Sequence, residues 1–167
     1  MKHPFQRVPT LVHDEFILYG TSTIRRSIDE TFPGIALKPA TNHARARMAQ
    51  IIGIIDSYGY WPMVKQVFSH RVFRPRTGQV MDERGVTAGT AAPERVLGAL
   101  EPLVADGTFL VTSQLTLADL HLAPMKAYFS AATEGRTALS RQSKLSKWWD
   151  LTQSRTAFAE TIPVLPG

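Results

Sequence analysis

Cysteine is absent from the 167-residue chain. Its absence excludes disulfide bridges, thiolate metal sites and a cysteine nucleophile among these residues. A hydrophobic run of membrane-spanning length is also missing, because the richest apolar stretch, residues 49–63, is interrupted by Asp56, Gly59 and Pro62. The opening residues, MKHPFQRVP, lack the apolar core of a signal peptide. We therefore expect a soluble, intracellular protein that does not enter a membrane.

A block of like charges is lacking as well. The chain has 19 lysines and arginines against 14 acidic residues, a formal net charge of +5, but the basic residues are scattered. A scattered basic surface favours a solvated face over a nucleic-acid interface, which stays open as the weaker alternative. The same charge balance also suits a small anionic ligand, which it would steer toward a positive cleft. The histidines show no spacing typical of metal ligands, so no metal site is predicted.

The first part of the chain has the pattern of a β-hairpin. Two short apolar runs, residues 8–12 and 16–20, flank the polar corner HDE. The following TSTIRRSIDETF predicts a helix, capped by Thr21 or Ser22 and ended at the Pro33-Gly34 pair. Because a lone hairpin is marginally stable in water, it should pair with further strands or pack on a helix.

Beyond residue 40 the chain is predicted to be helical throughout. Residues 35–40 are rich in proline and lack a period, which is typical of a linker. The long apolar pattern of residues 42–73 should kink or break at Gly59 and Pro62; its buried face should carry Met48, Ile51, Ile52, Ile55 and Tyr58. A loop over 74–85 and four more helical segments are expected, at 91–107 with a stop at Gly107, 115–131, 139–153 and 154–163. We predict a partial α/β domain over 1–34, a linker over 35–40 and an all-helical domain over 41–167.

The stretch LTLADL is the sharpest local signal. Thr116 as the N-cap and Asp119 three residues later predict a capping box, with aspartate in the place usually held by Glu or Gln. A catalytic pair of Asp119 with His121 is the weaker interpretation, since residues two apart on a helix do not face each other. We therefore assign Asp119 a structural role.

Three separated stretches together resemble the glutathione S-transferase family. They are HPFQRVPTL, LYGTSTIRRSIDE and LTLADLHLAP, in the order and at the spacing that the family shows. The resemblance implies a mainly α protein, in which an all-helical C-terminal domain follows a partial thioredoxin-like α/β piece made of a hairpin and a helix. It begins just before the third strand of the thioredoxin-like domain, so the sequence matches an N-terminally truncated member. The thiol-activating Tyr, Ser or Cys of the family belongs to the part that is not matched, and no catalytic residue can be assigned.

The resemblance also implies a glutathione site near the N-terminus. Val8 aligns with the residue whose backbone pairs with the cysteinyl part of glutathione, and Pro9 with the cis-proline that follows it. Arg7 aligns with a residue near the tripeptide. Thr21 matches the motif serine at a helix N-terminus, where free N–H groups favour the γ-glutamyl carboxylate. Gly20 stands in place of the family's acidic residue, and this departure weakens the case for ordinary recognition of the glutamyl group.

The function implied is conjugation of the glutathione thiolate to a small-molecule electrophile, with glutathione as co-substrate. The resemblance further implies a cytoplasmic homodimer, with an electrophile site against the long helix. The YGYWP stretch could line that site or be packed in the core, and both interpretations stay open. A non-catalytic, ligand-binding relative is the main alternative function, and a basic nucleic-acid-binding module is a weaker one.

Overall fold

The computed structural model describes residues 3–106 and 108–165. A two-stranded antiparallel sheet and one helix precede a group of packed helices. The N-terminal elements are β1 Thr10–His13, β2 Phe16–Tyr19 and α1 Thr21–Thr31. The remaining helices are α2 Asn42–Ile54, α3 Arg74–Arg76, α4 Glu83–Leu100, α5 Leu117–Ala131, α6 Thr133–Ser140, α7 Ser143–Gln153 and α8 Thr156–Ala159.

The hairpin and α1 occur where the sequence predicted them, but the helix cap differs. Gly20, not Thr21 or Ser22, is the N-cap residue, and no side chain caps the helix. Thr21 is the first helical residue, so its own backbone N–H is among the free donors of the first turn. The segment between α1 and α2 has no regular secondary structure, and the carboxylate of Asp29 accepts a 2.7 Å hydrogen bond from the backbone N–H of Leu37. The division at residues 34 and 40 remains a prediction.

The long helix does not break at Gly59 and Pro62. It continues from α2 through two π-helical segments, Ile55–Gly59 and Trp61–Phe73. In these segments the backbone donates to the fifth preceding carbonyl, as from Tyr60 to Ile55. The wider turn tolerates the missing N–H of Pro62 by changing the hydrogen-bond pattern rather than ending the helix.

The π-helical turns also correct the predicted buried face. Met48 is buried and Ile52 is partly buried, as the pattern requires, but Tyr58 is 67% exposed. A wider turn places every fourth residue on the same side, so that Gly59 replaces Tyr58 in the interior. The buried positions along this side are Ile51, Ile55, Gly59, Met63 and Val67.

The later part of the chain is helical, as predicted, but the bounds and the number of its helices differ from the prediction. Helix α4 begins eight residues before the predicted start at 91 and shortens the expected loop. The helix predicted over 139–153 corresponds to α7, which begins at Ser143, and the sequence did not predict α6. Leu103 ends the 3₁₀ turn Glu101–Leu103 that follows α4. The predicted helix stop at Gly107 lies outside the described residues.

The core lies among α2, the π-helical segments, α4, α5, α6 and α7. Trp148 on α7 and Phe129 on α5 are its largest fully buried side chains. On α7, Leu151 is 40% exposed, whereas its neighbour Thr152 is buried. Among residues 3–106 and 108–165, no helix has the length and apolarity needed to cross a membrane.

Candidate functional site

The hairpin register brings the two halves of the predicted glutathione site together. Thr10 of β1 lies opposite Tyr19 of β2. Pro9 directly precedes Thr10 and Gly20 directly follows Tyr19, so these two residues meet at the same end of the ribbon. The Val8–Pro9 peptide bond is cis, as the resemblance implied.

The chain at this end of the ribbon is open to solvent. The side chain of Val8 is 92% exposed, and Arg7 is exposed beside it. Within the described residues, no backbone hydrogen bond involves Val8. Its N–H and C=O are therefore free to pair with an extended peptide, as an added strand would.

Gly20 has a conformational reason to be glycine. Its φ is 91°, a value that side-chain-bearing L-residues rarely adopt. A Cβ built on Gly20 would lie 3.7 Å from the Thr23 hydroxyl, so the restriction comes from the backbone and not from crowding. The positive φ turns the chain from β2 into α1, whose first N–H groups are free donors.

Asp119 is a buried structural residue. It is 0% exposed and forms the predicted capping box with Thr116, whose backbone N–H donates to Asp119 Oδ2 at 2.8 Å. The Thr116 hydroxyl donates to the same oxygen at 2.7 Å. Oδ1 accepts from the backbone N–H of Leu110 at 2.8 Å and from Trp148 Nε1 at 2.9 Å. One carboxylate thus joins the N-terminus of α5, the preceding loop and α7.

A second polar cluster, in which only His121 is fully buried, connects α1 with the helical part of the chain. The Arg25 guanidinium on α1 donates to His121 Nδ1 at 3.1 Å. Because an arginine can only donate, Nδ1 is the acceptor, and the proton of the neutral ring lies on Nε2. His121 Nε2 then donates to Asp56 Oδ1, at 2.8 Å, on the first π-helical segment.

The electrostatics of this cluster favour the neutral imidazole. His121 is 1% exposed, and burial lowers its pKa below 6.5, with Arg25 lowering it further. Asp56 opposes both effects, through its charge and its hydrogen bond, but does not outweigh burial. Burial also lowers the pKa of Arg25 from its ordinary, very high value. Protonation of His121 would remove the acceptor that Arg25 uses.

A groove of about 610 Å³ lies between α1, α5 and the C-terminal residues, and we call it the tail groove. Its walls are mostly apolar and include Ala123, Ala127 and Phe158. Arg25 supplies a positive charge at its edge. Arg25 follows Thr21 by four residues, so both lie on the same side of α1. The groove is therefore next to the candidate glutathione site and large enough for a drug-sized molecule.

A second groove, of about 570 Å³, lies between the π-helical segments and α4, and we call it the helix groove. Tyr58 and Trp61 line it, together with Pro62 and Val96. Tyr58 and Trp61 are 67% and 63% exposed, which shows that these two aromatic residues of YGYWP are not in the core. Among the described residues, no group of three or more His, Asp or Glu side chains is arranged to hold a metal ion.

The architecture, a short hairpin and helix followed by a helical domain with a buried capping-box aspartate, is the class of fold found in glutathione transferases. The protein-family model for the glutathione S-transferase C-terminal domain matches residues 61–155, which is more than half of the chain. The chain belongs to the glutathione S-transferase family.

Curated relatives match nearly the whole chain. Glutathione S-transferase 3 of Zea mays is 26% identical over 166 residues, which cover 98% of this chain and 74% of that protein. Glutathione S-transferase F10 of Arabidopsis thaliana is 25% identical over 159 residues, covering 94% of this chain and 74% of the relative.

Solved structures show the same fold. The apo form of a glutathione S-transferase III superposes with a TM-score of 0.84 at 24% identity, covering 99% of this chain and 78% of that one. A glutathione S-transferase-I bound with lactoylglutathione gives a TM-score of 0.78 at 18% identity, covering 95% of this chain and 75% of that one.

Sequence reasoning missed the Arg25–His121–Asp56 cluster. These residues are far apart in the chain, and none of them stands in a motif that indicates the others. It also missed Lys126, for which a signal existed, namely a lysine inside the apolar run LHLAPMKAYF.

Proposed function

We propose that this chain binds glutathione at the Val8–Pro9 end of the hairpin and presents its thiol to an electrophile. The observation that carries the proposal is the hairpin register, which brings Val8, Pro9, Gly20 and Thr21 to one end of the ribbon. Membership of the glutathione S-transferase family supports glutathione as the tripeptide and as co-substrate.

The proposed contacts follow from the chemistry of these residues. The free backbone N–H and C=O of Val8 pair with the cysteinyl unit of glutathione. The first N–H groups of α1 and the hydroxyl of Thr21 donate to the γ-glutamyl carboxylate, which the positive end of the helix dipole also attracts. Arg7 supplies a nearby positive charge. Deprotonation makes the bound thiol nucleophilic, and a fixed position beside the electrophile accelerates the transfer.

The tail groove is the proposed site for the electrophile. It borders α1 on the side that carries Thr21 and Arg25, and its walls suit an apolar molecule. The earlier expectation of a site against the long helix would instead use the helix groove. Ala127→Leu fills the tail groove, and Ala92→Leu fills the helix groove. The variant that loses binding of an apolar electrophile identifies the groove that holds it.

Calorimetric titration with glutathione near neutral pH tests the proposal. We expect saturable binding, weakened about tenfold by Thr21→Ala through loss of a hydrogen bond to a charged group. Thr31→Ala, the same change at the opposite end of α1 on an exposed residue, is the matched control and should leave the affinity unchanged. A folded chain that shows no saturable binding would refute the glutathione site.

A second candidate function is binding of apolar ligands without transfer. The two apolar grooves favour it, and Gly20 in place of the family's acidic residue does too. Binding of an apolar ligand by a chain that does not bind glutathione would support this candidate. For either function we propose a homodimer located in the cytoplasm, as the family relation suggests.

A further inference from the structure

Arg25 on α1 leaves most of its hydrogen-bonding capacity unused. Its guanidinium donates from Nη1 to His121 Nδ1 at 3.1 Å. Across the described ranges of the chain, this is its one hydrogen bond, and no carboxylate pairs with it. An arginine has several N–H donors and keeps its charge at any pH at which proteins are folded. The remaining donors of Arg25 are therefore available to an anion.

The surroundings of Arg25 make an anionic partner favourable. The side chain is half-buried, and this burial disfavours its charge. The field of Asp56 opposes the effect, but Asp56 Oδ1 accepts from His121 Nε2, at 2.8 Å, and not from Arg25. Arg71 on the second π-helical segment, in contrast, pairs with both Glu83 and Glu134. Because a partly buried charge costs free energy unless it is paired, a carboxylate bound to Arg25 would be stabilised there.

The guanidinium forms part of the wall of the tail groove. Of the described residues that line this groove, Arg25 is the one with a charge. The rest of the wall is mostly apolar, from Leu120 on α5 to Ile162 near the C-terminus. A cavity with one positive end and an apolar body fits a molecule of the same pattern, with one anionic group on an apolar frame.

His121 holds the charge of Arg25 in place. The imidazole is bound on both sides, to Arg25 through Nδ1 and to Asp56 through Nε2, so it cannot turn without losing a hydrogen bond. The guanidinium is thus oriented before a ligand arrives, which lowers the entropic cost of binding. Its planar set of N–H groups matches the two oxygens of a carboxylate.

We propose that Arg25 selects electrophiles that carry a carboxylate, by pairing with that group while the apolar part of the molecule fills the tail groove. This inference rests on the proposed function, in which the tail groove holds the electrophile. Uncharged electrophiles of the same shape fill the groove without the ion pair and bind less tightly. The net charge of +5 also attracts such anions to the chain.

Calorimetric titration in the absence of glutathione tests the pairing. The probes are para-chloro-meta-nitrobenzoate, an aryl chloride with a carboxylate, and its uncharged methyl ester. We expect the wild type to bind the carboxylate about tenfold more tightly than the ester, through hydrogen bonds between charged groups. Arg25→Met should abolish this preference and keep the affinity for the ester. Ala127→Leu, which fills the groove, should weaken the binding of both probes.

Arg26→Met is the matched control. Arg26 is the exposed neighbour of Arg25 and pairs with Glu30, so the variant loses the same charge outside the tail groove and should keep the preference. Loss of the preference in both variants would assign it to net charge and overturn the proposal. Equal binding of the two probes by the wild type would also overturn it, as would a preference that survives Arg25→Met.

A measurement on the wild type covers the case in which Arg25→Met does not fold. Saturating carboxylate probe should slow the modification of Arg25 by phenylglyoxal, located by peptide mapping, and leave that of Arg26 unchanged. Absence of this protection would overturn the proposal. If neither probe binds, the tail groove is not the electrophile site, and the inference fails with that part of the proposed function. The glutathione site is tested separately, because none of these experiments contains glutathione.

Discussion

Asp119 shows how much one buried carboxylate contributes to this structure. Its two oxygens accept four hydrogen bonds, from Thr116 N and Oγ1, Leu110 N and Trp148 Nε1. Each of these donors would be left buried and unsatisfied without it. We expect Asp119→Ala to lower the free energy of unfolding by about 3–5 kcal/mol, since removing a buried charged acceptor leaves its donors unpaired.

Urea unfolding followed by fluorescence measures this change. Asp119→Asn is the informative companion, because its shape is nearly the same but its amide points a donor at donors that need an acceptor. We expect it to be almost as destabilising as alanine. Near-wild-type stability of the asparagine variant would show that shape, and not acceptor capacity, is what the site requires.

The backbone conformation of Gly20 predicts that replacing this residue lowers stability. Gly20→Ala forces a side chain onto a backbone with φ of 91°, which should cost about 1 kcal/mol or more. Gly53→Ala is the matched control, since Gly53 lies within α2 with open space around its Cβ position. That change should stabilise the chain by roughly 0.5–1 kcal/mol, through helix propensity. Destabilisation of similar size in both variants would contradict the conformational argument.

Between elements, the Arg25–His121–Asp56 cluster makes the contact of α1 with the helical domain dependent on pH. The folded chain lowers the pKa of His121 below the 6.5 of an unfolded histidine. Between these two pKa values the unfolded chain binds a proton that the folded chain does not. Stability due to His121 is therefore complete above pH 6.5 and is lost as the pH falls below it.

Urea unfolding between pH 5 and pH 8 measures this dependence, roughly the range in which histidine titrates. We expect the free energy of unfolding of the wild type to decrease below pH 6.5 more steeply than that of His121→Gln. His43→Gln, a change at an exposed histidine on α2, should retain the wild-type slope. Parallel curves for the wild type and His121→Gln would assign the slope to other groups.

The elements that the sequence predicted well are those determined by nearby residues. The hairpin, α1 and the Thr116–Asp119 capping box depend on residues within a few positions of one another. The π-helical turns and the exposure of Tyr58 instead accompany the packing of the long helix against α4, which no local period reports. The Arg25–His121–Asp56 cluster likewise exists only once α1, the long helix and α5 have come together.

The hairpin at the N-terminal end of the molecule exposes large apolar side chains on both of its faces. Phe16 on β2 is 61% exposed, Tyr19 is 44% exposed and Val12 on β1 is 42% exposed. A two-stranded ribbon is marginally stable alone, and its unpaired edges favour pairing with another chain. We therefore expect the proposed homodimer to form through the hairpin.

Sedimentation equilibrium over a roughly hundredfold range of protein concentration tests this expectation, because the dimer fraction follows mass action. The wild-type mass should rise toward that of a dimer, and Phe16→Lys should shift the equilibrium toward the monomer by placing a charge in the contact. Val80→Lys is the control, since Val80 is 85% exposed and lies in the loop before α4 rather than in the hairpin. A dimer that withstands Phe16→Lys must be formed by another surface, and the exposed apolar residues of the hairpin would then have a different role.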